Sequence, residues 1–352
     1  MAKYTEYSFP VGETPEEIEG KKYVRDFHGN LIPENRFFRS RYPRFLDPDS
    51  VRKAGEDGLR DGSLGLSLED AAKLYIVFFC DVRHRLVFVG HLPKNLSSWD
   101  MGVFLAKGAL QSGGHAIAIF EYMSEKMPVR SLFEKSAANR LKKFGYIFPL
   151  FDLHFLDWIG WSGFEMRETW SLQEAVVYKG VNDDAWKSMP REVTQAKNPE
   201  GYRESGEYLV KKKPRVGKYV SPKDIHGFLS PEYVYEDREI FRAYFPDDKN
   251  RFRDPGYESH GGIKETFVSP FSLFRNFLRS GGSKVLCVHN HPSGDSSPSG
   301  PDLRLGVVTG ICCKVLGAEL VDFVTLGWYS ATSLMPEIEE RVGRWEVGNR
   351  GS

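Results

Sequence analysis

The feature that most constrains the fold of this chain is a repeated order of residue types. Residues 78–86 match residues 244–252, and residues 110–114 match residues 278–282, at offsets of 166 and 168. Because order and spacing agree over about 90 residues, the pattern predicts an internal duplication, with chance matching of short pieces as the alternative. We therefore expect two copies of one domain in tandem.

The hydrophobic pattern predicts a mixture of helices and strands in the first copy. Helical spacing gives way to apolar runs that flank a short polar turn, and a second helical pattern ends at two glycines. These signals are typical of a helix, a β-hairpin, a helix and a strand. The expected ranges are 68–75, 75–89, 99–111 and 115–122.

Proline and charge patterns suggest where the domains begin and end. Five prolines interrupt any helical pattern before residue 66, and a polar stretch with few apolar residues separates the two copies. We expect an irregular N-terminal arm at 1–65, a first domain at 66–175, a polar linker or insertion at 176–218, a second domain at 219–340 and a tail at 341–352.

The composition excludes several classes of protein. The chain has 352 residues, of which 41% are hydrophobic and 27% charged, which is typical of a globular protein. Lysine plus arginine equals aspartate plus glutamate, 48 each, so no global field attracts nucleic acid or anionic membranes. No apolar run is long enough to cross a bilayer and the N-terminus lacks an apolar signal core, so we expect a cytoplasmic protein. The four cysteines have no metal or disulfide spacing and are expected to be buried thiols.

One segment of the second copy points to metal chemistry. His289 and His291 follow an apolar run that should be a strand, so their imidazoles can face the same side. Ser299 is typical of a helix N-cap, and Asp302 falls in the first turn of that helix. Two nitrogens and one carboxylate suit a tetrahedral zinc ion with one position open for water, whose pKa the metal lowers to about 7.

The same segment resembles the motif of the JAMM (MPN-plus, JAB1-type) metalloproteases, His-x-His-Pro followed by Pro-Ser-x-x-Asp. The residues from His289 to Asp295 are most similar to the RadC-like branch of this family. The resemblance covers roughly residues 222–335. It implies an α/β (α+β) sandwich of the JAB/MPN-like, cytidine-deaminase-like kind, with a mixed, curved sheet flanked by helices. It also implies one zinc ion held by His289, His291 and Asp302, with Ser299 stabilising the oxyanion and an upstream glutamate acting through the bound water. Active relatives in the superfamily cut isopeptide bonds to ubiquitin-like proteins, and the RadC-like branch carries a historical DNA-repair label.

The sequence leaves the identity of that glutamate open. In RadC-like proteins it follows the hairpin and precedes a Gly-Thr pair, which corresponds to a position near Gly256 here. A two-residue insertion would bring Glu258 to this position, and Glu265 is the second choice. The third possibility is that the chain has no functional base.

The first copy lacks the metal motif. At an offset of 168, Glu121 replaces His289 and Glu134 replaces Asp302. We therefore expect a metal-free partner domain, or a decayed copy with only a packing role.

Two basic segments could bind nucleic acid, although each has a more ordinary explanation. Residues 35–45, with basic residues from Arg36 to Arg44, alternate arginines with aromatic residues, and Lys211–Arg215 form a basic run. Docking on the chain's own domain and a solvated linker are the respective alternatives.

These observations together predict a zinc-dependent hydrolase of peptide or isopeptide bonds, and the resemblance implies a ubiquitin-like modifier as one kind of substrate. Its expected residues are Glu258 as the base and Ser299 at the oxyanion, beside the three metal ligands. The alternatives are a DNA-processing or mobile-element-associated binding protein with a structural metal, and a non-catalytic scaffold for a ubiquitin-like partner.

Overall fold

The fold is described from a computed structural model. It describes residues 45, 47–123, 130–162, 168–171, 216–229, 233, 236, 238–253, 255–260 and 268–350, together with the backbone of three short strands between residues 16 and 33. These three strands, β1 (Glu16–Ile18), β2 (Lys21–Arg25) and β3 (Leu31–Pro33), form a small antiparallel sheet.

Contacts divide the chain into two compact units. The first comprises the described residues up to Ser171, the segment Ser269–Gly281 and the end of the last helix from Glu346. It contains a five-stranded sheet in the order β5-β4-β6-β7-β8, in which only β6 and β7 are parallel. Its elements are α1 (Pro48–Arg60), α2 (Leu68–Lys73), β4 (Leu74–Cys80), β5 (Leu86–Pro93), α3 (Ser98–Ser112), β6 (Ala116–Met123), α4 (Arg130–Ile147), β7 (His154–Ser162) and β8 (Glu168–Ser171).

The second unit holds the remaining described residues. Its five-stranded sheet has the order β12-β10-β13-β14-β15, and only β13 and β14 are parallel. The elements that follow β8 along the chain are β9 (Gly217–Lys218), α5 (Pro222–Leu229), β10 (Ile240–Tyr244), β11 (Arg251–Phe252), β12 (Tyr257–His260), α6 (Pro270–Ser280), β13 (Lys284–Asn290), α7 (Gly300–Leu316), β14 (Glu319–Leu326), β15 (Ala331–Ser333) and α8 (Met335–Arg350). Of these, α6 belongs to the first unit.

Strand β13 is buried on both faces, which explains why its sequence is almost continuously apolar. On one face, Cys287 lies beside Cys313 of α7, and Phe323 of β14 packs near Gly306 of the same helix. The other face belongs to a second cluster of buried side chains, most of which come from α5 and the sheet. Its members include Tyr219, Ile225, Leu229, Tyr233, Ile240, Tyr244, Leu286, Val288, Val324 and Leu326.

The two sheets have the same strand order and the same strand directions. Their hairpin turns also share one hydrogen-bond pattern, since Asp81 accepts from Arg83 and Arg85 as Asp247 accepts from Lys249 and Arg251. The parallel strand pairs shift register at equivalent points, between residues 117 and 118 and between 285 and 286. The α/β class with helices flanking mixed sheets is therefore confirmed, whereas the duplication itself stays a prediction.

The N-terminal region differs from the irregular arm expected over residues 1–65. Besides the small sheet, it contains helix α1, which begins with Pro48 in its first turn and a capping box between Asp47 and Ser50. A proline interrupts the interior of a helix, but it is favoured in the first turn, where its missing N–H would have no intrahelical partner. The expectation of irregular structure was wrong for this segment.

Other expectations concern membranes, thiols and the basic segments. Among the described residues, no helix is long and apolar enough to cross a membrane. All four cysteines are buried and free, as expected. The arm from Arg36 to Arg44, the run Lys211–Arg215 and Glu265 lie outside the described residues.

Candidate metal centre

Three side chains converge where β13 ends and α7 begins. The Nε2 atoms of His289 and His291 are 3.1 Å apart, and the two carboxylate oxygens of Asp302 lie 3.1 Å from the first and 3.3 Å from the second. In the described part of the chain, these residues form the one group of His, Cys, Asp and Glu side chains with a metal-binding geometry. The structure thus brings together the three residues that the sequence predicts as ligands.

A backbone carbonyl determines which nitrogen of His291 is free to bind a metal. Its Nδ1 atom lies 2.8 Å from the carbonyl oxygen of Asp295. Because a carbonyl only accepts, Nδ1 carries a proton, and Nε2 is the nitrogen left to exchange its contact with Asp302 for a metal ion. This arrangement is the usual outer-shell support of a metal-ligating histidine.

His289 is the more buried of the two imidazoles, with 5% of its side chain exposed. The ring of Phe323 packs against it edge to face at 5.7 Å. Its Nδ1 atom is buried and has no hydrogen-bond partner among the described residues. Within the described residues, His289 therefore makes its polar contacts through Nε2, with His291 and Asp302.

The three residues form a donor set that fits a divalent cation. Two imidazole nitrogens this close repel each other when both present lone pairs, and a cation between them removes that repulsion. A set of two nitrogens and one carboxylate is typical of zinc sites that keep a position open for water or substrate.

The electrostatics of the cluster agree with a cation site. Burial raises the pKa of Asp302, but its hydrogen bonds with His289 and His291 outweigh that effect and hold the pKa well below the usual range. The hydrogen bond to Asp302 raises the pKa of His291 against the effect of burial, and the negative charge of Glu239 adds to the increase. The carboxylate is thus ionised and available as a ligand.

The helix start holds Asp302 in place. Ser299 caps α7, and its hydroxyl donates to Asp302 Oδ2 at 2.5 Å while accepting from the Asp302 backbone N–H at 3.3 Å. The backbone N–H of Ser299 also donates to Oδ2, at 2.6 Å. The reciprocal bonds of this capping box orient the carboxylate toward the imidazoles.

The loop between His291 and Ser299 is fixed against the end of the sheet. Gly294 has a φ of +84°, and a Cβ atom there would lie 2.5 Å from the Trp328 ring, so only glycine fits. The Ser296 hydroxyl lies 2.8 Å from that of Ser330 and 2.9 Å from that of Thr332. These contacts hold the loop whose carbonyl selects the His291 tautomer.

Glu258 does not join the cluster. In β12 it pairs with Arg242 of β10, which in turn pairs with Val288 of β13. Paired residues share a face of the sheet, and His289, next to Val288, points to the opposite face. The Glu258 carboxylate instead contacts Arg242 Nε at 2.5 Å and His260 Nε2 at 2.6 Å. The structure therefore contradicts the prediction that Glu258 is the base at the metal.

Glu239 is the acidic residue that the sequence analysis missed. It directly precedes β10, in which Phe241 pairs with His289, so alternation directs Glu239 to the face of His289 and opposite His291. Glu239 is half-buried, and its charge acts on His291. The signal available in the sequence was its position immediately before the first long strand of the second copy.

The first unit carries a different cluster at the corresponding strand end. Glu121 of β6 lies 3.3 Å from the ammonium of Lys94 and accepts from the indole of Trp158 at 3.1 Å. The same ammonium donates to the carbonyl of Tyr122 at 2.6 Å. A lysine thus supplies the positive charge in the place where the second unit gathers metal-binding groups.

Comparison with known proteins finds similarity for one part of the chain. Residues 219–340 match the family described as the RadC-like JAB domain. The chain is similar to UPF0758 proteins from Methanosarcina acetivorans (32% identity over 120 residues, 34% of this chain and 52% of the relative) and Desulforudis audaxviator (33% over 117 residues, 33% and 51%). A UPF0758 protein from Clostridioides difficile is 29% identical over 124 residues, which is 35% of this chain and 53% of the relative. The chain therefore spans about half the length of these curated relatives, and their name states no activity.

Proposed function

We propose, from the match of residues 219–340 to the RadC-like JAB domain, that the protein is a metal-dependent hydrolase of peptide or isopeptide bonds. The observation that carries the proposal is the convergence of His289, His291 and Asp302 within 4.8 Å of one another. The carbonyl that leaves His291 Nε2 free to coordinate supports it further.

The metal in this proposal is zinc, one ion per chain. His289, His291 and Asp302 would hold this ion, which would supply Lewis acidity and make a water at the site more acidic. The chain's own contribution is to hold the three ligands in one orientation before the metal arrives. The capping box at Ser299 and the carbonyl of Asp295 provide that orientation.

In this mechanism Glu239 is the general base. Strand register directs it to the face of the sheet that carries His289, and its charge acts on His291, so its carboxylate would take a proton from a water and pass it to the leaving amine. The buried surroundings of His289 limit access of bulk water to one side of the site.

The Ser299 hydroxyl is the proposed donor to the oxyanion. In the structure it donates to Asp302, so it has to exchange this acceptor for the substrate oxygen as negative charge develops. The substrate class beyond an amide bond, including a ubiquitin-like modifier, is an extension of the proposal that rests on the family resemblance.

Metal binding is tested with two aspartates of the same segment. Asp302→Asn should weaken zinc binding by more than about 100-fold, since it alters a ligand and not an outer-shell group. Asp295→Asn is the matched control, because that carboxylate is exposed and caps Ser297 instead of facing the imidazoles. Zinc affinity is measured by competition with a chromogenic chelator. Equal affinities of the two variants would overturn the assigned ligand set.

Catalysis is tested with two glutamates. We expect Glu239→Gln to reduce hydrolysis by about 100-fold or more, the usual contribution of a general base, without changing zinc affinity. Glu258→Gln is the control, since its carboxylate is paired to Arg242 on the other face. The assay uses a panel of peptide and lysine-isopeptide substrates with the zinc-loaded chain. Zinc binding without hydrolysis of any substrate favours a structural metal or a scaffold.

A further inference from the structure

Asn290 separates the two metal-binding histidines in sequence, yet its side chain points away from them. It is fully buried, with no exposed surface. Its neighbours His289 and His291 face the metal side, and alternation along the strand turns Asn290 to the opposite side. A buried amide needs partners for both its donor and its acceptor, so its contacts indicate what it does.

Both partners of the Asn290 amide flank Glu239. The oxygen Oδ1 accepts from the backbone N–H of Ile240 at 2.8 Å, and the nitrogen Nδ2 donates to the carbonyl of Arg238 at 3.1 Å. One side chain thus holds the peptide groups on either side of the proposed base.

These bonds continue the sheet beyond the point where its backbone pairing stops. The final pair between β10 and β13 on this side is Phe241 with His289. At the next position the side chain of Asn290 supplies the hydrogen bonds, and Tyr233 adds to them because its single O–H is shared between the carbonyls of Ile240 and Val288. The segment before β10 is therefore held by side chains rather than by a backbone ladder.

We propose that Asn290 is a positioning residue that fixes Glu239 relative to the metal ligands. Because Asn290 lies between His289 and His291 on the same strand, any movement of the ligands is transmitted to the segment that carries Glu239. The inference rests on the proposed function, since it needs Glu239 to act at the metal. It goes beyond that function in giving the second residue of the His-Asn-His sequence a role of its own.

The experiment uses the full chain loaded with Co²⁺, whose absorption bands report the protonation of the site. Removing a nearby carboxylate lowers the pH at which a neighbouring group loses its proton, typically by about 1 unit. We therefore expect Glu239→Gln to lower the midpoint of the band transition by about 1 unit. Asn290→Ala should also lower this midpoint. The double variant should lower the midpoint by no more than Glu239→Gln does alone.

Two further measurements separate positioning from general destabilisation. The amide of Ile240 should exchange its hydrogen faster in Asn290→Ala, while Co²⁺ affinity stays within a factor of about 3 of the wild type because all three ligands remain. Ser333→Ala is the control, since it removes another partly buried hydrogen bond, to Asp322, and should leave the midpoint unchanged. If Asn290→Ala does not fold, Asn290→Ser serves instead, because it adds no charge that would itself move the midpoint and its side chain is too short to keep both hydrogen bonds.

The outcomes distinguish this inference from the proposed function. If the wild-type chain binds no Co²⁺, the proposed function is wrong, and the inference with it. If Glu239→Gln moves the midpoint but neither Asn290 variant does, the positioning role is wrong and the function stands. If Glu239→Gln does not move the midpoint, Glu239 does not act at the metal and both the base assignment and the inference are overturned.

Discussion

At the scale of single residues, the site depends on one hydrogen bond and on strand alternation. The bond from His291 to the Asp295 carbonyl selects the tautomer that can coordinate. Alternation decides between the acidic candidates, since Glu239 falls on the face of His289 and Glu258 on the other. A glutamate close to the site in sequence can therefore lie on the wrong side of the sheet.

A buried histidine in the first unit predicts acid sensitivity at the same scale. Burial lowers the pKa of His91 from 6.5 to about 4, and its Nε2 atom has no partner among the described residues. Its folded-state pKa is below the unfolded value, so the unfolded chain binds the proton first and stability is lost as pH falls from 6.5 toward 4. At about pH 5 the free energy of unfolding is lower than at neutral pH by about 2 kcal/mol because of this histidine.

Lowering the pH from 7.5 to about 5 should reduce the free energy of unfolding of both proteins. We expect the reduction to be about 2 kcal/mol smaller in His91→Leu than in the wild type. The measurement is urea unfolding of both proteins at each pH in the presence of a chelator, which removes any contribution from bound metal. His154→Gln changes an exposed histidine of the same unit and should behave as the wild type does. An identical pH dependence in wild type and His91→Leu would contradict the expectation.

At the scale of elements, the start of α7 joins helix capping to the candidate metal site. The same carboxylate of Asp302 closes the capping box and faces the imidazoles. The strand end supplies two ligands and the helix start supplies the third, so the loop between them sets their spacing. The loop contacts Trp328 and the hydroxyls of Ser330 and Thr332, which hold it at this spacing.

Ser299→Ala tests this joint role. Loss of the cap should reduce the free energy of unfolding by about 1 kcal/mol. Loss of the bond that orients Asp302 should weaken zinc binding by about 10-fold. Ser299→Thr keeps a hydroxyl and should retain most of the stability and most of the zinc affinity. The measurements are urea unfolding and zinc competition.

The control is Ser269→Ala, which removes the N-cap of α6, where the serine hydroxyl accepts from Ser272 N–H. It should cost similar stability and leave zinc affinity unchanged. Undiminished zinc binding by Ser299→Ala would show that the capping box does not orient the ligand.

At the scale of the whole molecule, two sheets of the same strand order carry different chemistry at corresponding strand ends. The second unit gathers His289, His291 and Asp302, whereas the first holds Glu121 against the ammonium of Lys94. The partly buried lysine neutralises the carboxylate that would otherwise be a ligand, so we expect metal only in the second unit.

This expectation predicts a stoichiometry and a stabilisation. The chain should bind one zinc ion, and free zinc at about 100 times its dissociation constant should add about 2.7 kcal/mol to stability. His289→Ala should abolish the zinc-dependent increase in melting temperature, while Glu121→Gln should leave it intact. Elemental analysis and calorimetry measure the two quantities. Two bound zinc ions, or stabilisation that persists in His289→Ala, would contradict the assignment.

The sequence alone determined the three residues that meet at the candidate metal centre, because they lie within fourteen consecutive residues. Strand alternation and a helix cap are local rules, so a short stretch suffices to bring such groups together. It also determined the α/β class, through the periods of its apolar residues. The proline pattern gave a wrong prediction at α1, because Pro48 begins that helix and does not break it.

Only the tertiary structure decided which glutamate accompanies the ligands. That residue comes from another strand, and its face depends on the register of β10 against β13 and β12. A shift of one residue in that register turns every side chain to the opposite face, and no local pattern specifies it. The roles of Asn290 and Lys94 depend in the same way on non-local pairing, because their partners lie far away along the chain.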